Sequence, residues 1–429
     1  MLTNRPRGTN DILPGQVERW QSLEGKIRRL CREYGYGEIR TPIFEHTILF
    51  NRGVGETTDV VEKEMYTFMD RGKSSLTLRP EATAAIVRAY IENGMYGQPQ
   101  PIKLFLLGPM FRYDRPQAGR FRQFHQFDVE VLGTRDPLLD VELIALANSF
   151  CQQAGLKEWE LHINSVGCPT CRTEHRKGLR EYVYNVRGSL CEDCQRRLET
   201  NPMRVLDCKN EKCQRLTVNA PTPVDYLCDT CAEHFAAVKR GLEEMEVAYQ
   251  VDKRLVRGLD YYTMTAFELM VPGIGAQNSI GGGGRYDGLV EACGGPPTPG
   301  VGFAFGMERV LLALEEQRGE APNTAGLEVY VGTLEPGARI PAMKLLNQLR
   351  SLGIAADMDY LGRSLKAQMK AAGKSGAPLV VIVGGDELGR GAVTVRQMDK
   401  AKQEEVSLDQ AGQYLLARLV GMRHKVEEW

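Results

Sequence analysis

Four arginines fall within eleven residues, at Arg112, Arg115, Arg120 and Arg122, around a loop that carries Pro116 and Gly119. The residues that follow alternate in character, as a strand with two different faces does. Arg122, Phe124, Gln126, Asp128 and Glu130 share one face, and Phe121, Gln123, His125, Phe127, Val129 and Val131 share the other, which is mostly apolar. A solvated sheet surface is also polar, but it has no reason to gather four cations around one loop beside a row of acceptors. Fixed guanidinium groups suit a polyanion, and carboxylates next to them suit a cationic ligand. The chemistry expected here is phosphate binding beside a site for a positively charged group.

Two later segments offer similar material. Arg257-Gly258-Leu259-Asp260-Tyr261-Tyr262 places one arginine before paired tyrosines, and Ser279-Ile280 precedes four consecutive glycines. A glycine run lets backbone approach a neighbour closely, although by itself it reads as a loop. Residues 300–309 are a glycine-spaced lead into a helix whose core stripe is Phe303, Met307, Val310, Leu311 and Leu314. That stripe leaves Arg309 on a face with Gly302, Phe305 and Gly306, where a triphosphate can lie close. No Walker loop is present: Gly72-Lys73-Ser74 has Thr67, and Gly373-Lys374-Ser375 has Gln368, where the upstream glycine is required. Any ATP is therefore held by arginines.

Between residues 166 and 240 the texture changes. Cysteines arrive in four close pairs, Cys168 with Cys171, Cys191 with Cys194, Cys208 with Cys213, and Cys228 with Cys231. The spacing between the first two pairs suits a four-thiolate zinc site. The other four could form a second site, or the pairs could be shuffled between sites. At least one structural zinc is expected, against the plainer reading of unmetallated thiols in a reducing compartment. Arg172, Arg176, Lys177, Arg180, Arg196, Arg197 and Arg204 give the same segment a basic character, fit either for an RNA backbone or for solvent.

The stretch from Phe111-Arg112-Tyr113-Asp114-Arg115-Pro116 to Val131 resembles motif 2 of the class II aminoacyl-tRNA synthetases in their histidyl form. Residues 257–262 and Gly281-Gly282-Gly283-Gly284-Arg285-Tyr286-Asp287-Gly288-Leu289 resemble signatures of that family, and residues 300–309 resemble motif 3. The resemblance runs from Arg7-Gly8-Thr9-Asn10-Asp11 into the C-terminal region. It implies an α/β and α+β multidomain fold. A catalytic domain (an antiparallel sheet flanked by helices) would span residues 1–325, interrupted by a Cys-rich insertion at 166–240, and an α/β anticodon-binding domain would occupy 327–429. The implied activity is two-step attachment of L-histidine to tRNA(His) by a cytoplasmic homodimer using ATP and Mg2+. Arg112 would grip the α-phosphate and Arg309 the γ-phosphate side, with Asp114 and Arg120 completing the ATP site. Asp114 stands where many members carry Glu, so its reach toward adenine or the tRNA end is shorter by one methylene. Arg257 would meet the substrate carboxylate and α-phosphate, making it with Arg112 the catalytic pair. Glu81, Ala82 and Thr83 match the histidine-binding segment, with Glu81 on the α-ammonium. Gln126 and Glu130 would meet the α-amine and the imidazole, and Tyr261 and Tyr262 would wall the imidazole pocket. The resemblance does not require zinc.

Periodicity supplies the elements that must position these groups. Residues 16–34 read as a helix with a stripe of Trp20, Leu23, Ile27, Leu30, Cys31 and Tyr34, ended by Gly35 and Gly37. Residues 39–44 are extended, with Pro42 barred from a central ladder. In the family this helix and strand form motif 1 and the dimer interface. Strands are expected at 65–69 and 75–79 about Arg71-Gly72-Lys73, with Gly72 left-handed. Glu81 then sits at a strand-to-helix junction, where capping explains it as well as function does. A strand at 102–107 leads into the arginine loop, a helix follows at 138–153, and strands at 160–166 and 263–271. Polar residues 317–325 form a linker. Beyond it come strands at 328–332, 355–358, 379–384 (buried) and 392–397 (edge), with helices at 338–352, 364–372 and 408–420, the pattern of a small α/β domain.

Composition sets the outer bounds. The chain has 429 residues, 42% hydrophobic and 25% charged, with a net charge of −1, so global charge does not advertise nucleic-acid binding. Any RNA contact must use local basic patches. No basic-then-apolar leader and no apolar run of membrane-span length is read, and cysteine-rich spacing in a large chain points to a reducing cytoplasm. Two other classes fit parts of the pattern. A non-catalytic relative sensing histidine for its biosynthesis would tend to lose the arginines and the C-terminal domain, which are kept here. A plain RNA-binding module leaves Gln126, Glu130 and the paired tyrosines unexplained.

Overall fold

A computed structural model describes residues 3–55, 58, 60–257, 259, 261–274, 278–318, 326–400 and 402–423. Two compact units emerge, Met1–Ala321 and Pro322–Trp429. Gly258 and Asp260, most of the 317–325 linker, and the last six residues lie outside the described residues.

The first unit is organised on an eight-stranded sheet. Its order is Gly37–Glu38, Ile102–Phe111, Gln123–Leu132, Gly300–Gly306, Ser279–Arg285, Thr263–Met270, Glu160–Ser165 and Gln250–Val251. The six central strands pair antiparallel, and only the two short edge strands pair parallel. One face is sealed by helices. Leu23, Ile27, Leu30 and Cys31 of helix Val17–Glu33 pack with helix Pro137–Ala154, Phe235, Val238 and Leu242 of helix Asp229–Glu244, and the sheet residues Phe127, Val129, Phe267, Phe303 and Phe305. Helix Pro137–Ala154 needs no strong amphipathicity because it is covered nearly all round, with eleven buried residues from Leu139 to Ala154. A three-stranded antiparallel sheet of Phe44–His46, Ser75–Leu78 and Tyr66–Met69 stands beside it. The turn joining its last two strands puts Lys73, not Gly72, at positive φ (65°). The Asp70 carboxylate accepts from Ser74 N at 2.7 Å and closes the turn, so the left-handed residue falls one position later than the glycine suggests.

Two segments expected as loop or helix are strands. The glycine run is the strand Ser279–Arg285, and the lead into the Arg309 helix is the strand Gly300–Gly306, with the helix starting at Met307. Phe303 therefore belongs to a strand, and Phe305 is buried in the core on the face opposite Gly302 and Gly306. Residues 39–43 carry no strand, so Pro42 meets no ladder.

The second unit is a five-stranded sheet in the order Ala356–Met358, Val329–Thr333, Leu379–Val383, Ala392–Gln397 and Gln403–Ser407, with helices Arg339–Ser351, Leu365–Lys374 and Ala411–Arg423. The first three strands are parallel and the last two antiparallel. Ala392–Gln397 is thus an interior strand. The edge is Gln403–Ser407, whose polar sequence hides it from hydrophobic periodicity.

Candidate active site

A cavity of about 590 Å³ opens on the uncovered face of the large sheet. Alternation along Gln123–Leu132 turns Phe127, Val129 and Val131 into the core and Phe124, Gln126, Asp128 and Glu130 into the cavity. The neighbouring strand makes room for them. Gly302 pairs with Glu130, Ala304 with Asp128 and Gly306 with Gln126, so each polar side chain has a minimal residue beside it. A Cβ on Gly302 would lie 1.8 Å from Glu130 Oε2. Glycine is the residue that fits there.

One end of the cavity is acidic. Glu130 Oε1 accepts from the Thr83 hydroxyl and Oε2 from the Tyr286 hydroxyl, each at 2.5 Å. Burial pushes the Glu130 carboxyl up to about 8, against the pull of those two donors, and the nearby Glu81 adds to the rise. Burial, then Glu130 and Glu81, hold Asp128 well above the usual carboxylate range. Glu81 is raised by burial as well, although the N–H groups of Thr83 (2.8 Å) and Ala84 (2.9 Å) donate to it. Glu81 therefore caps helix Thr83–Glu92 and lines the cavity at once, so capping and function are not alternatives. Tyr261 and Tyr262 meet at 4.8 Å between ring centroids, and Tyr261 meets Tyr286 edge-on at 5.8 Å. Burial raises all three phenols, keeping them neutral donors.

The other end is cationic. Arg112 Nε donates to Pro80 O at 2.8 Å, and its guanidinium stands 5.4 Å from the Phe124 ring centroid, leaving its remaining N–H groups on the cavity side. Arg120 pairs with Asp114. Arg257 Nη1 lies 3.2 Å from Glu268 Oε1; burial opposes its charge, but Glu268 and Tyr262 outweigh that and raise its pKa. Gly282, opposite Glu268 in the ladder, leaves space for this pair, since a Cβ there would meet Arg257 Nη1 at 2.8 Å. Burial and then the Arg120 charge press the Arg309 pKa down, as expected where cations gather around an anion site. Three buried polar atoms facing this space lack a partner among the described residues: Gln126 Oε1, Asp128 Oδ2 and Arg257 Nε. Buried polar atoms are normally satisfied, so orphans of both signs around one cavity point to a ligand with both donors and acceptors.

Glu81, Thr83, Arg112, Asp114, Arg120, Gln126, Glu130, Arg257, Tyr261, Tyr262 and Arg309, drawn from separate segments, all line this one cavity. Ala82 does not; its side chain is buried with Ile86, Leu106 and Met110. Only two of the four clustered arginines face the cavity. Arg115 is exposed, and Arg122 stacks 3.8 Å from the Tyr113 ring centroid and donates to Asp114 O, bracing the loop. Phe121, expected on the core face, precedes the strand and lines the cavity instead. Tyr286, Asp128 and Glu268 join the wall without having been assigned roles. Tyr286 stands inside the quoted glycine signature and Asp128 on the polar strand face, so both were within reach; Glu268 becomes visible only through its register with Gly282.

The cysteines resolve into two quartets, and the first two pairs do not share one. Cys168 and Cys171 join Cys228 and Cys231, while Cys191 and Cys194 join Cys208 and Cys213, with ligand atoms inside each quartet within 4.8 Å of one another. Three of the four pairs begin at a helix start: Cys168 and Cys228 immediately precede helices Pro169–Tyr184 and Asp229–Glu244, and Cys191 precedes Glu192–Thr200. Sγ atoms lie 3.6 Å apart for Cys168 and Cys171 and 3.8 Å for Cys191 and Cys208. That is far beyond a disulfide and close to the ~3.8 Å edge of a tetrahedron with ~2.3 Å metal–sulfur bonds. Backbone N–H groups of Cys228 and Cys191 donate to Cys171 Sγ (3.1 Å) and Cys213 Sγ (3.2 Å), which favours thiolates. The donor sets fit tetrahedral zinc. Of the basic residues here, Lys177, Arg180 and Arg196 are paired with Glu174, Glu199 and Asp193, whereas Arg204 lines the active-site cavity.

Comparison with known proteins agrees with this geometry. The family profile described as histidyl-tRNA synthetase matches residues 8–170 and 206–310, and one described as anticodon binding domain matches residues 328–418. A histidine–tRNA ligase of Desulforamulus reducens is 60% identical over 418 residues, 97% of this chain and 100% of the relative. One from Pelotomaculum thermopropionicum is 60% identical over 423 residues, 99% of this chain and 100% of the relative. The crystal structure of apo Staphylococcus aureus histidyl-tRNA synthetase, 43% identical, superposes with a TM-score of 0.82 and covers 96% of this chain and 100% of that one. With profile matches across both units, full-length relatives at this identity and a cavity in which buried acids face converging arginines, the chain belongs to the histidyl-tRNA synthetase family.

Proposed function

We propose that the cavity binds L-histidine at its acidic end and MgATP at its arginine end, forms histidyl-adenylate, and passes the histidyl group to the 3′ end of tRNA(His). The observation that carries the reading is the set of orphaned polar atoms on Gln126, Asp128 and Arg257, facing one space between carboxylates and guanidinium groups. In the first step a histidine carboxylate oxygen attacks the α-phosphorus and pyrophosphate leaves; in the second a terminal ribose hydroxyl attacks the acyl carbon and AMP leaves. Neither step needs a protein nucleophile, so placement and charge stabilisation supply the acceleration.

Arg112 holds the α-phosphate and Arg309 the γ-phosphate side, with Asp114 and Arg120 bordering the nucleotide. Arg257 spans the substrate carboxylate and the α-phosphate, and its planar fork addresses two oxygens that a lysine could serve only one at a time. Glu81, with Gln126, receives the α-ammonium. Glu130, fixed between Thr83 and Tyr286, faces the imidazole that Tyr261 and Tyr262 enclose. A wrong side chain leaves these buried polar groups unpaired, which discriminates more strongly than shape. Residues 1–325, interrupted by 166–240, form the catalytic part, and residues 327–429 read the anticodon.

The active form is a cytoplasmic homodimer. The three-stranded sheet supports the dimer, since Phe44, Phe68 and Met69 on it and Ile43 and Ile48 next to it are exposed. Among the described residues no helix is long and apolar enough to cross a membrane. The two cysteine quartets hold structural Zn2+ and, with four thiolates each, leave no open position for chemistry. Pyrophosphate exchange into ATP, measured with each of the twenty amino acids, tests the reading. Exchange with histidine alone is expected; histidine binding without exchange would mean a sensor and would overturn it.

A further inference from the structure

We propose that the inner quartet, Cys191, Cys194, Cys208 and Cys213, is a metal staple that fixes residues 204–209 of the insertion as one wall of the active-site cavity, where Arg204 and Lys209 meet substrate phosphate. The inference rests on the structural-zinc reading above and adds a task to it. Cys208 is the joint. It is buried in the insertion, yet its two neighbours, Asp207 and Lys209, line the catalytic cavity, as Arg204 does from the turn Pro202–Val205. Nothing regular holds this stretch: after that turn, residues 206–210 are in neither helix nor strand.

What fastens the segment is side-chain packing. Met203, Val205, Leu206 and Cys208 sit in a small core with Cys194, Cys213, Leu190 and Leu198. A core of this size confers little stability, and small cores commonly depend on a metal or disulfide staple. Arg254 adds one anchor from the catalytic sheet side, donating to Leu206 O at 3.1 Å. Lys209 Nζ lies 2.9 Å from Asp207 Oδ1, so the wall presents a poised cation rather than a loose one. A metal bound by Cys208 would fix the backbone on which all of these depend. Four thiolates brought together without it repel one another.

The shared ligand chemistry is phosphate, either the tail of ATP or the last phosphodiesters of the tRNA, and the two can be told apart by assay. On the purified full-length protein, elemental analysis should find two zinc ions per chain. The double variant Cys191→Ser, Cys213→Ser should keep one zinc, and hydrogen exchange should rise over residues 202–216 but not in strand Leu379–Val383 of the other unit. The double variant Arg204→Ala, Lys209→Ala should keep both zinc ions. Both variants should raise the same KM by at least about tenfold, the value of one charge-assisted contact. A change in the ATP KM of tRNA-free pyrophosphate exchange assigns the phosphate to ATP, and a change confined to the tRNA KM of transfer assigns it to tRNA. Wild-type protein without bound metal would sink the zinc reading itself. Loss of one zinc with unchanged exchange protection and unchanged KM values would sink the staple alone. Should the cysteine variant not fold, an Arg204→Ala, Lys209→Ala protein with both KM values unaltered would overturn the proposal by itself.

Discussion

Replacing Glu130 by glutamine removes a carboxyl whose proton burial holds up to about 8, beside Glu81 and under two hydroxyl donors. At about pH 7 such a group is ionised in roughly one molecule in ten, and ionising it costs about 1.4 kcal/mol. A histidine ligand that offers an N–H or a positive charge to Glu130 needs the carboxylate, so binding below about pH 8 releases a proton. The sign follows directly. The unliganded group holds its proton up to about 8, the ligand lowers that value, and affinity therefore rises with pH until about 8 and then levels. Between about pH 7 and about pH 8.5 the ionised fraction grows from about one-tenth to about three-quarters, so the histidine Kd should fall about eightfold. Histidine's own groups titrate nearby, and the Glu130→Gln protein, weaker at every pH, isolates that contribution as its residual slope. Calorimetry in two buffers of different ionisation enthalpy reads both the Kd and the proton released. Equal pH slopes in the two proteins, with no proton release in the wild type, would refute the assignment. Stability has the opposite sign: with the folded value above that of an exposed carboxyl, Glu130 favours the unliganded fold most below about pH 4.5 and loses that contribution as pH rises through about 8.

Arg257→Ala should lower histidine-dependent pyrophosphate exchange by about 10²–10³-fold while histidine affinity stays within a few-fold, the pattern of a contact made in the transition state; a loss confined to binding would remove the role given to Arg257. Gly302→Ala places a Cβ 1.8 Å from Glu130 Oε2, so the carboxylate must move. The histidine Kd should rise at least about fivefold with the ATP KM within about threefold, since overpacking of this kind costs about 1–3 kcal/mol. Asp140→Asn removes the nearer of the two carboxylates on the fully buried Arg285, leaving Asp287 at 3.5 Å, and takes from His234 the carboxylate 3.3 Å away. Thermal or urea unfolding should show a loss of about 1.5–3 kcal/mol in the first unit, the value of a charge-assisted contact, and a change below about 1 kcal/mol would mean that water enters and screens the cluster.

Most of the element pattern could be read from periodicity because burial imposes it locally. Helix Val17–Glu33 shows its stripe, strand Gln123–Leu132 its two faces, and helix Pro137–Ala154 its apolar run. The failures share one cause. Gly300–Gly306, Ser279–Arg285 and Gln403–Ser407 are strands whose residues carry weak or contrary β preference, and their state is decided by the neighbours they pair with. Spacing left the cysteine grouping open for a related reason, because the fold returns Cys228 beside Cys168 while Cys191, closer in sequence, is carried to another centre.

The proposed active site is a cross-strand property. Gln126, Asp128 and Glu130 can be seen as a polar face from one strand alone, but that face is a cavity only because Gly306, Ala304 and Gly302 lie beside them in register. Filled with ordinary side chains, the neighbouring strand would occupy the space proposed for the substrate. The same holds one strand further on, where Gly282 leaves room for Arg257 to reach Glu268. Each glycine removes β propensity from its own strand and so looks, in isolation, like a loop. Stability lost there is compensated on the opposite face, where Phe303 and Phe305 pack against Phe127 with centroids 5.6 and 6.3 Å away. An aromatic core under a glycine floor is therefore a single arrangement: the sheet is held from the face where the ligand is not, so that the other face can stay open for it.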